Sequence, residues 1–372
     1  MNSEKITQAL REVEESDKAL AAAFERRLDA IKVIAEYRRE HGIPVPAEPD
    51  GGERAQELSA VITDAEKRPY YMSFFQGALS ASEKYHRRIM QGVRVAYTGV
   101  KGAFANIAAS RIFPDGEMVS YPDFAASYTA VERGECDCAV LPIENSYAGE
   151  VGQVIELMFS GTLYIGGVYS LRVKHNLLGL RGATPSGVKK VVSHPQALHQ
   201  CAPYIQAHGY ECIQETNTAV AAQRVAEGGD PTVAAIASAE TAKLYGLEVL
   251  DHDINESGDN TTRFAVFSRT PNIDEDHRDR SRFLLMFILQ NVPGALASAI
   301  NVISSYGFNM KVIRSRPIKE PAWEYYFYVE AEGDEESENG RRMISELRQH
   351  CRVLKVVGHY SDDIRLGASS II

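Results

Sequence analysis

The chain has 372 residues, 44% of them hydrophobic and 24% charged, which suits full cores in two or three domains and no fibrous or disordered class. Its formal net charge of −10 argues against binding to nucleic acid, which depends on clustered Lys and Arg, and leaves a small molecule as the expected ligand. No uncharged run is long enough for a membrane span and the N-terminus is charged from Glu4 onward, so neither a transmembrane helix nor a signal peptide is expected, and a cytoplasmic enzyme follows.

From Thr7 to Glu40 the apolar residues Leu10, Val13, Leu20, Phe24, Ile31 and Ile34 recur at helical spacing with no Gly or Pro between them, which predicts one long helix. Its apolar stripe is too long for the shorter helices that follow to cover, so a second chain is expected along it. Gly42, Pro44 and Pro46 stop the helix and Pro49-Asp50-Gly51-Gly52 makes a loop. Two further helices are expected at Ala55 to Lys67 and Tyr70 to Met90.

At Gly92 the period changes to two, with Val93, Val95 and Tyr97 reading as a strand. Gly99-Val100-Lys101-Gly102-Ala103-Phe104 then turns into a helix near Asn106, a Gly-rich turn whose backbone N–H groups suit a ligand carboxylate. It lacks the third glycine of a dinucleotide fingerprint. More strands are expected at Ala139-Leu141, Leu163-Leu171, Val191-Val192, Val233-Ile236 and Phe264-Phe267, with helices such as Ala239 to Leu244 between them, hence a parallel or mixed sheet. Thr270 to Arg280 reads as a charged linker. Beyond it come a strand at Phe283-Ile288, a helix opened by Asn291-Val292-Pro293-Gly294-Ala295-Leu296, strands at Met310-Ile313 and Tyr325-Val329, a helix at Gly340-His350 and a strand at Val353-Val357. That order is βαββαβ, the ferredoxin-like arrangement. The five cysteines, at 136, 138, 201, 212 and 351, lack zinc spacing and read as reduced, mostly buried thiols, with no metal site.

Three stretches carry the candidate chemistry. Asn260-Thr261-Thr262-Arg263-Phe264 sets a hydroxyl, a fixed charge and an aromatic wall where a loop feeds a strand. Leu141-Pro142-Ile143-Glu144-Asn145-Ser146-Tyr147-Ala148-Gly149-Glu150-Val151 and Val192-Ser193-His194-Pro195-Gln196-Ala197-Leu198-His199-Gln200-Cys201 each end an apolar strand in uncharged hydrogen-bonding groups, where open α/β sheets bind ligands. His194 reads as a structural residue at the turn. No Ser/His/Asp order with an elbow sequence appears, which disfavours acyl transfer.

In this order the three stretches resemble prephenate dehydratase, over about residues 92 to 360. The resemblance implies a two-lobed α/β domain like a periplasmic binding protein, prephenate as substrate and no cofactor. Thr262 is then the hydroxyl donor, Arg263 the carboxylate grip, Phe264 the wall, and Asn145, Ser146, Ser193 and Gln200 neutral donors, with Glu144 orienting Asn145 or acting directly and Gly99, Gly102 and Ala103 on the substrate.

The helical unit resembles the chorismate mutase domain of bifunctional chorismate mutase/prephenate dehydratases, with Arg11, Arg27, Arg38, Ser82 and His86 in its pocket. Arg27 and Arg38 lie about 20° apart on a helix of 100° per residue, so both can serve one pocket. Mutase activity is expected to be weak or absent, because Arg11 fits only with a skipped residue, His86 replaces Gln or Glu, and Pro46 to Arg54 departs from the family's Asp-x-x-Arg-Glu segment.

Asn291, Pro293, Gly294, Ala295 and Leu296, with Arg314-Ser315-Arg316-Pro317 and Trp323-Glu324-Tyr325-Tyr326-Phe327, resemble the ACT regulatory domain that binds phenylalanine between paired domains. The family usually has Glu where Arg314 stands. Expected domains are 1–91, 92–270 and 281–362, in a homodimer or homotetramer. Two alternatives remain: a fully bifunctional enzyme, and a non-catalytic amino-acid sensor.

Overall fold

The computed structural model describes residues 3–41, 56, 58–256, 258–271, 281–318, 324–361 and 364–367. The expected stop at Gly42 to Pro46, the loop at Pro49 to Gly52, Glu53-Arg54, Trp323 and all of the linker after Pro271 lie outside the described residues. The described residues fall into two compact units, one within Met1–Val93 and Asp115–Glu117, the other within Arg94–Pro114 and Met118–Ile372. No described helix is long and apolar enough to cross a membrane.

In the first unit one helix runs over Ser3–Glu40 and a second over Arg68–Gln91, the latter with Pro in its first turn and Gly92 at φ 82° closing it. The expected helix at Ala55 to Lys67 is not continuous. Val61 N–H donates to Leu58 O at 3.1 Å, Glu66 N–H to Asp64 Oδ1 at 3.0 Å and Lys67 N–H to Asp64 O at 3.1 Å. Asp64 thus offers the backbone a turn in place of the next helical bond. Leu10, Val13, Leu20 and Ile34 of the long helix are exposed in the single chain.

The second unit holds three sheets. β1 (Arg94–Thr98), β2 (Glu117–Tyr121), β3 (Cys138–Asn145), β4 (Gly149–Glu150) and β5 (Tyr164–Arg172) build most of the first. β6 (Asn176–Gly179), β7 (Lys190–Ser193), β8 (Glu211–Gln214), β9 (Val233–Ala237) and β10 (Glu248–Asp251) form the second, in the order β10-β6-β9-β7-β8. β11 (Thr261–Ser268) then returns to the first sheet, antiparallel to both β3 and β5. The chain therefore crosses between two lobes twice, after β5 and after β10.

β12 (Ser281–Leu289), β13 (Asn309–Pro317), β14 (Tyr325–Glu332) and β15 (Cys351–Ser361) make an antiparallel sheet in the order β13-β14-β12-β15, the ferredoxin-like order expected from βαββαβ. β16 (Ile364–Leu366) pairs parallel with β5 and completes the first sheet, β16-β5-β11-β3-β1-β2, with β4 on β3.

β12 reads as an unbroken apolar run because both of its faces are covered. Phe283, Leu285 and Phe287 pack with Ala299, Val302, Met343 and Leu347 of the helices at Ala295–Ser305 and Glu338–His350. Leu284, Met286 and Ile288 pack with Leu141, Ile143, Ala265 and Phe267 of the first sheet. The third sheet thus lies on the face of β11 to which Arg263, Ala265 and Phe267 point, while Thr262 and Phe264 point the other way. Of the cysteines, Cys136, Cys138 and Cys201 are buried, with burial raising the Cys201 thiol to about 12, whereas Cys212 is exposed.

Candidate active site

Strand register assembles the site. Thr262 is the cross-strand partner of Asn145, and Arg263 that of Glu144. Asn145 Oδ1 accepts from Tyr147 N–H at 3.0 Å and Ala148 N–H at 2.9 Å, so its amide nitrogen must face the other way. That nitrogen donates to Thr262 Oγ1 at 2.9 Å and to Asn260 Oδ1 at 2.8 Å. Thr262 Oγ1 is the acceptor here, so its own proton is directed to another partner.

The same logic runs outward. Asn260 Nδ2 donates to Gln200 Oε1 at 3.0 Å, and His175 Nε2 meets that oxygen at 2.9 Å. Asn260, Gln200 and His175 are all buried, and Thr262 is 9% exposed. A chain of uncharged groups therefore runs from His175 to the threonine hydroxyl.

The opposite face is ionic. Glu330 of β14 is 0% exposed and receives Arg263 Nη1 at 3.1 Å, Arg263 Nη2 at 3.0 Å and Tyr360 Oη at 2.9 Å, with Tyr328 Oη as a fourth donor. Burial raises the Glu330 pKa, but the Arg263 hydrogen bonds and charge, with the two phenols, outweigh it and hold the carboxyl below its ordinary value. Burial, then the Glu330 charge, pushes the Tyr328 phenol well above its ordinary range, so it stays a donor. Arg263 also reaches Glu144 Oε2 at 3.1 Å.

This corrects one expectation. The bidentate fork of Arg263, expected for a ligand, is filled by a carboxylate of the chain itself.

Arg314 closes the ionic cluster. It bonds Glu144, lies 3.1 Å from Glu150 and stacks 6.0 Å from the Tyr328 ring, while Arg316 sits 3.2 Å from Glu150. Burial lowers the Arg314 pKa, but the Glu144 hydrogen bond and the two carboxylates reverse this, and the net shift is upward. Arg314 pairs with Tyr328 and Ser315 with Phe327, so Arg314 faces the first sheet and Ser315 the helices. The structure therefore separates Arg314 from Asn291, Pro293, Gly294, Ala295 and Leu296, which lie at the exposed start of the helix at Ala295–Ser305, with Gly294 left-handed at φ 86°.

Other expected residues take supporting places. Ser193 is buried and donates to Ile236 O at 2.6 Å. Ser146 Oγ accepts from Thr261 N–H at 3.0 Å and tacks the loop after β3 to β11. Phe264 is buried in the sheet. His194 caps the helix at Pro195–Gln200 by accepting from Gln196 N–H at 3.2 Å, the turn role expected of it.

The Gly-rich turn does need glycine, at φ 95° for Gly99 and 87° for Gly102. Its N–H groups are nonetheless engaged: Gly99 with Tyr121 O at 2.9 Å, Gly102 with Asn106 Oδ1 at 3.0 Å and Ala103 with Val100 O at 3.1 Å. The open N–H cradle expected at these three residues is thus filled from within.

In the helical unit Arg27 Nε donates to Ser82 Oγ at 2.9 Å and Arg38 lies 3.3 Å from His86 Nε2, so four of the five expected residues meet pairwise, while Arg11 is exposed. Burial, then Arg38 and Arg87, lowers the His86 pKa.

A cavity of about 1210 Å³ lies beside Phe104, Arg172, Ser238, Thr261 and Arg282, but Thr262 and Asn145 do not line it. Reading by motif passed over His175 as a site residue, and also Glu330. The second had a signal, since a charge at a core-facing position of Tyr325-Tyr326-Phe327-Tyr328-Val329-Glu330-Ala331 demands a partner.

The chain is similar to known proteins of one family. The family model described as prephenate dehydratase matches residues 95–272. Arogenate dehydratase/prephenate dehydratase 2 of Arabidopsis thaliana is 34% identical over 323 residues, covering 84% of this chain and 83% of the relative. The bifunctional chorismate mutase/prephenate dehydratase of Aquifex aeolicus is 29% identical over 96% of this chain and 98% of its own, and the N-terminal helical region of this chain fits a chorismate mutase-like domain.

Among solved structures, a protein described as a novel type of quorum quenching acylase superposes with a TM-score of 0.67 at 31% identity, over 73% of this chain and 98% of that one. The prephenate dehydratase of Arthrobacter aurescens in complex with L-Phe gives 0.67 at 25% identity, over 73% and 90%. On the family match and the coverage of its relatives, the chain belongs to the prephenate dehydratase family.

Proposed function

We propose that the chain converts prephenate to phenylpyruvate. The C–CO2 bond breaks, its electron pair aromatises the ring, and hydroxide leaves the opposite ring carbon, becoming water on protonation. The observation that carries this is the Asn145 hydrogen bond to Thr262 Oγ1, which leaves the threonine proton to be given to the departing oxygen. A threonine hydroxyl is a very weak acid, so it acts as a positioned donor or relay, with the net proton coming from solvent. Asn145, Asn260 and Gln200 add no negative charge that would repel the substrate's two carboxylates.

One structural neighbour is described as an acylase, a chemistry that uses a nucleophile set against a base. Ser193 gives its proton to a backbone carbonyl and Ser146 bonds the Asp259 carbonyl at 3.3 Å, so neither is set against an imidazole. This supports elimination over acyl transfer.

The regulatory reading keeps the boundaries 1–91, 92–270 and 281–362, with the last an ACT domain that binds phenylalanine near Asn291 to Leu296 and Ser315. The 4-1-3-2 sheet and the L-Phe complex of the Arthrobacter relative support it. Pairing of two chains along Leu10, Val13 and Leu20 covers the long helix, in a dimer or tetramer, with mutase activity weak or absent.

The test is phenylpyruvate formation by the purified chain from prephenate, with arogenate in a parallel arm. Turnover of prephenate is expected. Binding without turnover of either substrate would favour an amino-acid sensor, and turnover of arogenate alone would move the substrate assignment.

A further inference from the structure

We infer that His175 is a positioning residue for the dehydration, the far anchor of the hydrogen-bond chain that orients Thr262. The inference rests on the reading of Thr262 as the hydroxyl donor. Orientation propagates without choice along the chain. Two backbone N–H groups hold Asn145 Oδ1, so Asn145 Nδ2 is a donor. Asn260 must then present Oδ1 to it and turn Nδ2 toward Gln200. Gln200 in turn presents Oε1, so the His175 Nε2 that lies 2.9 Å from that oxygen must carry the proton between them. His175 is therefore the Nε2–H tautomer.

Its other nitrogen, Nδ1, is buried and has no hydrogen-bond partner among the described residues. The residue as a whole is 3% exposed, and the Phe104 ring stands edge-on to it at 5.7 Å. A proton on Nδ1 would lack an acceptor among the described residues, and burial, only partly countered by Gln200, lowers the His175 pKa accordingly. The ring is kept neutral with one defined donor, which is what an anchor for a string of amides requires.

Placement gives the chain its use. His175 lies on the first crossover between the lobes and is tied to the second by Asn255 Oδ1, which accepts its N–H at 3.1 Å, and by Ile254 N–H, which donates to its carbonyl at 2.9 Å. Asn260 belongs to the second crossover, Gln200 to a helix of the second lobe, and Asn145 and Thr262 to the first sheet. Gln200 loses a donor when the imidazole is removed, and a glutamine with three rotatable bonds no longer has one orientation to impose on Asn260.

The experiment combines two readouts on the full chain. Steady-state dehydration by His175→Phe is expected to lose on the order of tenfold to a hundredfold in kcat with KM within about twofold, as expected when a reacting group is misplaced while binding persists. His175→Gln, whose side-chain amide supplies an N–H in the place of Nε2–H, is expected to recover most of that loss. Nitrogen-15 NMR of the imidazoles in the unaltered protein reads the tautomer without reference to activity, and a neutral Nε2–H ring is expected. Absence of prephenate turnover in the unaltered chain overturns the assigned function. In a chain that does turn over, an Nδ1–H or doubly protonated ring, an unchanged kcat in His175→Phe, or an equal loss in His175→Gln overturns the role of His175.

Discussion

The two faces of β11 differ in one respect that decides what each can do. Toward Thr262 the groups are amides, a hydroxyl and a neutral imidazole. Toward Arg263 they are the charges Glu144, Glu330, Glu150, Arg314 and Arg316. A single step along the strand moves from one to the other, because successive side chains of a strand point to opposite faces. The neutral face suits chemistry on a dianion. The ionic face joins the third sheet to the first, and the two residues that look alike in a Thr-Arg-Phe triplet serve different ends.

The comparison breaks most sharply at Glu330. Glu330→Ala takes the bidentate carboxylate from a buried Arg263, which keeps Glu144 and the Tyr360 phenol, and losing one partner of such a pair typically costs about 3–5 kcal/mol. Chemical denaturation of the variant should show that loss, whereas a stability within about 1 kcal/mol of the parent would mean that the ionic face is incidental.

Acid should find the same residue. The folded pKa of Glu330 is depressed, so its stabilisation is fully present above the unfolded carboxylate value, 4.5, and is lost as pH falls from there through the folded value. Arg263 remains charged throughout, and Tyr328 and Tyr360 remain donors. Thermal unfolding followed from about pH 6 down to about pH 2.5 should fall less steeply below pH 4.5 for Glu330→Gln than for the parent. Equal slopes would assign the acid sensitivity elsewhere.

A smaller effect sharpens the comparison. Arg314 is partly exposed, so Arg314→Ala should cost only about 1 kcal/mol, and added salt should shrink the difference from the parent. A salt-independent loss would indicate packing on Tyr328 instead of charge.

How much of this was legible beforehand follows from what each signal depends on. The strands around Ala139, Val191, Val233 and Phe264 came from local period and turn residues, and all of them form. The ferredoxin-like order came the same way. The proximity of Thr262, Asn145 and Gln200 came from the family resemblance and holds in the structure.

What escaped depends on partners remote in the chain. Period two says that Thr262 and Arg263 diverge, but not that Arg263 meets a carboxylate 67 residues later. Arg314 looked like a reversed charge at an effector site because its own partners, Glu144 and Glu150, lie on the first sheet. The Gly-rich turn looked open because the Asn106 side chain that fills it is a helix residue of ordinary appearance. The segment from Ala55 to Lys67 carries helical spacing, yet Asp64 turns the backbone aside.

The Thr262 hydroxyl carries the chemistry of the neutral face. Phenylpyruvate formation by Thr262→Ala, measured beside its thermal unfolding, is predicted to fall about a hundredfold, close to 3 kcal/mol of transition-state stabilisation, at an unchanged melting temperature. Full turnover in the folded variant would contradict the assignment of the hydroxyl and, with it, the division of labour between the two faces of β11.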